Sequence, residues 1–142
     1  MDTKQVVLER TFNAPVDTIW QALTDREKMK EWYFVFDEFK PEAGFEFQTY
    51  GGSDDKKYLH LFKITEAIPG KKLAYSWRYD GYPGISYLTF ELFPEGGKTR
   101  LKLTHTGLES FMNNGPDFEV ASFNAGWDHI INTSLKAFVE KG

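Results

Sequence analysis

The chain has 142 residues, a formal net charge of −4 and no cysteine. That length suits one domain with its own core, here residues 1–142, and the missing thiols exclude disulfide frameworks, thiolate metal sites and cysteine nucleophiles. Acidic and basic residues are interspersed, with Lys56-Lys57 and Lys71-Lys72 as isolated doublets, so no basic stripe tracks a nucleic-acid backbone.

Chain order begins with a strand predicted at Val6–Phe12, where Val6, Leu8 and Arg10 alternate with Val7, Glu9 and Thr11. MDTKQVVLER has no signal-peptide core, and no run reaches the roughly 18 apolar residues of a membrane span. The expectation is a cytoplasmic protein without membrane insertion. Asn13-Ala14-Pro15 ends the strand, and Pro15 suits the first turn of a helix because its missing N–H has no intrahelical partner there. Val16, Ile19, Trp20 and Leu23 follow at helical spacing. Thr24-Asp25 reads as the cap of a second short helix through Lys30, carrying Met29 and Trp32 inward.

Strand signals then come in series. Phe34, Phe36 and Phe39 precede a turn at Pro41–Gly44, and Phe45, Phe47 and Thr49 alternate with polar neighbours up to Gly51–Asp55. Tyr58, His60, Phe62 and Ile64 mark the next strand, and Leu73, Tyr75, Trp77 and Tyr79 share one face of another. Asp80–Gly84 is a loop by its turn chemistry. Leu88, Phe90 and Leu92 lead to a hairpin turn at Pro94–Gly97, and Leu101, Leu103 and His105 complete the last strand. Strands this close, joined by short turns, predict an antiparallel meander with one face inward.

The C-terminal stretch SFNAGWDHIINTSLKAFVE puts Phe123, Trp127, Ile130, Ile131, Leu135 and Phe138 on one stripe of an amphipathic helix. That helix is predicted to cover the inward row Phe45, Phe47, Phe62, Ile64, Tyr75, Trp77, Leu88, Phe90, Leu101 and Leu103. Gly126 is expected to let the helix approach the strands closely, with Gly126→Leu destabilising.

Asn13-Ala-Pro15-Val16-x-x-Ile19-Trp20-x-x-Leu23 resembles the start of the START-like SRPBCC superfamily. Glu66-x-x-Pro69-x-x-x-Leu73-x-Tyr-Ser-Trp77, Thr89-Phe-Glu-Leu92-x-Pro94, Thr99-x-Leu101-x-Leu103-Thr-His105-x-Gly-Leu108 and Gly126-Trp127 resemble its branch related to the activator of Hsp90 ATPase. The likeness runs from about Val6 to Val139 and rests on the order and spacing of these motifs. It implies an α+β helix-grip (START/Bet v 1-like) fold. In that fold a curved antiparallel sheet of about six to seven strands wraps a long C-terminal helix, with two short helices after the first strand. It also implies a cavity between sheet and helix. Family functions range from lipid and hormone carriers to cyclases and chaperone co-factors. The Hsp90 activator carries a further N-terminal domain to which nothing here is similar, so its ATPase stimulation is not carried over.

His60, His105 and His129 lack metal-ligand spacing, and a hydrogen-bonded structural histidine is the expected role for His105. Ser76, Ser86 and Ser122 have no base nearby in sequence, and Glu46, Glu66 and Glu91 alternate with apolar residues on the wet face. No catalytic residue, metal site or cofactor is predicted. The 13 Phe, 7 Tyr and 4 Trp residues carry the functional expectation: a pocket that is apolar apart from a few fixed polar groups. Its candidate lining is Trp32, Phe45, Phe47, Phe62, Trp77, Tyr79, Tyr87, His105, Phe123, Trp127 and Ile131, with Tyr79, Tyr87, His60 and His105 orienting a ligand. Access is expected near Asp80–Gly84, the Gly107–Pro116 segment and the two early helices, with Asn113–Pro116 as a gate. The leading partner is a small hydrophobic or amphipathic ligand; a protein-interaction module and a cyclase- or hydrolase-like enzyme are the alternatives.

Overall fold

A computed structural model of the chain describes residues 5–33, 36, 38–52, 57–108, 110–111 and 120–140. The expectations at Phe34, at Asp54-Asp55 and Lys56, and at the Asn113–Pro116 gate lie outside the described residues. Six strands, β1 (Val6–Phe12), β2 (Glu46–Gly52), β3 (Lys57–Ile68), β4 (Lys72–Tyr79), β5 (Ser86–Glu95) and β6 (Lys98–Thr106), form one sheet in the order β1-β6-β5-β4-β3-β2. Every neighbouring pair is antiparallel. Strands β2 to β6 are the predicted meander, and β1 closes its far edge beside β6.

The local chemistry explains the boundaries. At the β5–β6 hairpin Glu95 faces Lys98, leaving Gly96 and Gly97 as a two-residue loop with φ of +61° and +86°. Two successive positive φ angles define the tight turn whose twist matches the strands, and glycine adopts them without strain. Helix α1 (Val16–Thr24) begins one residue after Pro15, which occupies the capping position. Asp25 caps α2 (Arg26–Trp32) by accepting a hydrogen bond from the Glu27 N–H at 2.9 Å. The strand expected at 34–39 does not form at Phe36 or at residues 38–40. Phe36 is buried and Phe39 packs on Phe47, ring centroids 4.9 Å apart. Two inward rings three residues apart break the two-residue period of a strand.

The C-terminal helix runs as α3 (Val120–His129), a π-helical segment (Ile130–Leu135) and α4 (Lys136–Glu140). Among its described side chains Trp127, Ile131, Leu135 and Val139 are buried, each four positions after the last. In a pure α-helix a four-residue step overshoots one turn by about 40°. The wider π turn takes back part of that drift and holds the row on one line over the sheet. The helix therefore lies on the inward face, as a helix-grip fold requires. A register shift between Ile64 and Glu66 in the β3–β4 pairing marks a bulge, which bends the sheet around it. Among the described residues no helix is long and apolar enough to cross a membrane.

Candidate ligand-binding site

Cross-strand register sorts the inward face into rows. Thr49, His60 and Tyr79 form one; Phe47, Phe62, Trp77 and Ser86 the next; Ile64, Tyr75, Leu88, His105 and Val6 the third. These three rows form a ring-rich end of the interior. Phe47 and Phe62 stack with centroids 4.8 Å apart, and Phe62 meets Trp77 edge to face at 5.0 Å. Trp127 comes down from the helix to within 5.7 Å of Trp77 and 6.1 Å of Phe90. Edge-to-face geometry of this kind sets a ring's positive rim against its neighbour's negative face.

Polar groups are threaded through the rings. The Trp127 Nε1–H donates to His105 Nδ1 at 3.0 Å, and His105 Nε2 lies 2.8 Å from Ser86 Oγ. Ser86 Oγ in turn donates to the Trp77 carbonyl at 3.0 Å. An indole N–H only donates, so Nδ1 is the acceptor and the neutral ring carries its proton on Nε2. Proton order along the chain is therefore fixed from Trp127 to the Trp77 carbonyl. Burial pushes the His105 imidazole down to about 3, which keeps it neutral. The dyad of Ser86 and His105 looks like a nucleophile and its base, yet the facing nitrogen already holds a proton. In this arrangement His105 cannot accept the Ser86 proton.

A second polar pair bridges the layers. Tyr33, at the end of α2, brings its hydroxyl 2.8 Å from that of Tyr75 on β4, 42 residues away in sequence. Burial, followed by the neighbouring Tyr75, pushes the Tyr33 phenol well above its ordinary range, and burial raises Tyr75 as well. His60 packs its ring 4.7 Å from Tyr79 and 5.4 Å from Trp77, with Nδ1 2.9 Å from the Tyr58 carbonyl. Burial lowers the His60 pKa.

Of the predicted lining, Phe47, Phe62, Trp77, Tyr79, His105, Trp127 and Ile131 are buried in the interior, and Phe45 and Phe123 are half-buried at its margin. Trp32 is buried too, and its indole donates to the Ala22 carbonyl at 2.9 Å, clamping α2 to α1. Tyr87 does not join them. It is 47% exposed on the outer face of β5, because its neighbours Ser86 and Leu88 point inward and successive strand residues alternate. Gly126 is also placed differently: a Cβ there would meet nothing within 4 Å, so close approach of the strands does not explain it.

The loop after β4 and the segment after β6 are held together rather than parted. Ser110 Oγ accepts from the Ile85 N–H and lies within hydrogen-bonding distance of the Ile85 carbonyl, both at 2.9 Å. Buried Phe111 packs 5.2 Å from Tyr79. Among the described residues no group of three metal-ligating side chains converges. Residues missed in sequence are Tyr33, the Tyr75 hydroxyl as its partner, and Ser86 as the partner of His105. Their pairings cross the sheet or the layer gap and leave no local pattern.

The family model described as activator of Hsp90 ATPase homolog 1-like protein matches residues 13–140. The chain belongs to that family. Comparison with the curated proteins yields no match. Among solved structures, the chain is similar to protein CV1439 from Chromobacterium violaceum, with a TM-score of 0.82 and 20% identity over 99% of this chain and 100% of that one. It is also similar to MLL2253 from Mesorhizobium loti, with a TM-score of 0.78 and 25% identity over 96% of each chain. DynU16, from the dynemicin biosynthetic locus, gives a TM-score of 0.80 at 21% identity over 98% of this chain and 48% of its own, so this chain spans about half of that protein. Membership in the Hsp90-activator-like family and these likenesses agree with the helix-grip architecture, and the ring-rich end lies where such a fold brings helix and sheet together.

Proposed function

We propose that this domain binds a small hydrophobic or amphipathic molecule between the C-terminal helix and the ring-rich end of the sheet. The supporting observation is the chemistry of that end: large rings with a few polar tips, those of His105, Ser86, Tyr75 and Tyr33, all directed into the interior. A core built for stability alone gains nothing from hydroxyls and imidazoles that each need a partner. A site that must both hold and orient a ligand uses such groups. Affinity comes from apolar burial, at roughly 25 cal/mol per Å² before the cost of ordering the ligand. Direction comes from the hydroxyls.

The test is a titration of the native protein with an apolar fluorescent probe, followed by a lipid and metabolite panel read by thermal shift. Saturable binding at one site, accompanied by a change in Trp127 fluorescence, is the expected result. A panel that neither saturates nor shifts the melting temperature would count decisively against a carrier.

A further inference from the structure

Between helix and sheet, Tyr33 places an aromatic ring and a hydroxyl against both layers. Its ring stacks on Trp32 with centroids 4.9 Å apart and planes 13° from parallel, and its centre lies 6.0 Å from Trp127 of the helix. Its hydroxyl meets the Tyr75 hydroxyl of the sheet at 2.8 Å. One side chain thus touches both layers, ring to helix and hydroxyl to strand. It is delivered by the capping position just after the short helix α2, where its own N–H donates to the Met29 carbonyl at 2.7 Å. The residue as a whole is half-buried, so its backbone end reaches the surface while the phenol end is deep. Tyr33 thus sits at the edge of the interior with its ring pointing in.

We propose that Tyr33 is a built-in stand-in for the ligand, and that the ligand is a flat neutral aromatic bearing a hydroxyl, which displaces the Tyr33 ring and hydrogen-bonds to Tyr75. This inference rests on the reading of the interior as a binding site and names the chemical class that site takes. Three features set the class. The face of Trp32 selects a planar ring, because offset stacking needs a flat partner. Tyr75 selects a hydroxyl: an apolar ring in place of Tyr33 leaves a buried O–H without the partner it has now. The low-dielectric surroundings select the neutral form, since burial raises both phenols and an anion there would be desolvated without a countercharge. Displacement also links occupancy to affinity. The free energy holding Tyr33 in place is subtracted from whatever the ligand gains, so the measured affinity falls by the fraction of molecules with the site vacated.

The experiment uses 2-naphthol and naphthalene as probes on the full chain, followed by calorimetric titration and thermal shift. Four proteins are compared: wild type, Tyr33→Ala, Tyr33→Phe and Tyr75→Phe. Wild type is expected to bind 2-naphthol measurably, and Tyr33→Ala at least tenfold more tightly, because nothing need be displaced. Tyr33→Phe, which keeps the ring and loses the hydroxyl tie, is expected in between. Tyr75→Phe is expected to lose the preference for 2-naphthol over naphthalene. Equal affinity of wild type and Tyr33→Ala makes Tyr33 a fixed wall and overturns the inference while leaving the binding site in place. Binding by Tyr33→Ala with none by wild type makes Tyr33 an immovable core residue and overturns it too. A hydroxyl preference that survives in Tyr75→Phe removes the assigned class. Absence of binding to every protein, by these probes and by the wider panel alike, removes the site reading along with it. Should Tyr33→Ala fail to fold, Tyr33→Phe against wild type decides: tighter binding supports the displacement, equal or weaker binding ends it.

Discussion

One sheet face and one helix enclose two interiors of different chemistry. Toward the β5–β6 hairpin, Leu73, Phe90, Leu92, Leu101, Leu103, Ile19 and Leu23 are buried and mostly aliphatic, with Phe12 closing the end. Polar atoms there face the frame. The Thr99 hydroxyl donates to the Ala14 carbonyl at 2.9 Å, and Arg10 reaches Asn132 on the helix at 3.0 Å. Toward the other end the interior carries the hydroxyls of Tyr33, Tyr75, Tyr79 and Ser86 and the imidazoles of His60 and His105 among Trp127, Trp77, Phe62 and Phe47. Aliphatic side chains of similar volume replace one another at modest cost, whereas a ring network with directed hydrogen bonds has one arrangement. The first region is suited to stability, and under the proposed function the second is suited to specificity. A surface cleft of about 490 Å³ beside Asn13, Pro15, Gln21 and Phe138 belongs to the first end and lies apart from the ring network.

The division breaks most clearly through Phe12, which is fully buried where β1 meets β6. Phe12→Ala is expected to lower stability by about 4 kcal/mol in urea unfolding, while the affinity of the native protein for an apolar probe stays within twofold. A parallel collapse in affinity would merge the two regions into one. Gly84 sharpens the comparison from the ring side. Its φ is +113°, and a Cβ there would stand 2.6 Å from the Ser110 carbonyl oxygen, which is backbone and cannot swing aside. Gly84→Ala should therefore cost about 3 kcal/mol and loosen the loop pair that Ser110 ties, read as faster amide exchange at Ile85. Unchanged exchange would mean that the tie does not depend on this glycine.

His105 gives the ring end a pH signature that the aliphatic end lacks. The unfolded chain takes up a proton on this residue below about pH 6.5, and the folded chain holds out until about pH 3. Between those values the unfolded state binds more protons, so stability falls as the pH drops, by about 2 kcal/mol from pH 7 to pH 5. His60, also lowered by burial, adds in the same direction. In His105→Gln the amide oxygen can accept from Trp127 and the amide N–H₂ can donate to Ser86, with nothing to titrate. Urea midpoints measured across that range should be flatter for His105→Gln than for wild type, the His60 share being common to both. Parallel curves would mean that His105 takes up its proton as readily in the folded chain as in the unfolded one, contrary to its bond from Trp127.

The architecture was legible because it rests on periods. Alternation placed Phe62, Trp77, Leu88 and Leu101 inward, and four-residue spacing placed Trp127, Ile131 and Leu135 on one stripe. Site detail failed where the period was not followed or did not apply. Tyr87 adjoins Leu88, and once Leu88 is inward the strand parity sends Tyr87 out. Phe36 lies in irregular backbone, where no period exists to consult. The bond of Tyr33 to Tyr75 and that of His105 to Ser86 join residues 42 and 19 positions apart. Only the register of the sheet and the placement of α2 bring them together, and neither is written in a local pattern.

Gly126 supplies the smallest and most exacting test. Adjacency to Trp127 suggests a glycine that admits a strand, but one residue along an α-helix is a rotation of about 100°. With Trp127 facing the sheet, Gly126 is turned toward solvent, where its backbone is exposed and a Cβ meets open space. Its φ lies outside the left-handed region, so alanine fits without strain. What remains is the intrinsic penalty of glycine in a helix, and Gly126→Ala should raise stability by about 1 kcal/mol. Gly126→Leu should be close to neutral or stabilising for the same reason, reversing the expectation from sequence. Both are read as shifts in the urea midpoint at constant slope, with probe affinity unchanged. A loss of stability in Gly126→Ala would mean that the helix sits nearer the strands than its buried row implies, and the assignment of Trp127 to the ring network would have to be redrawn.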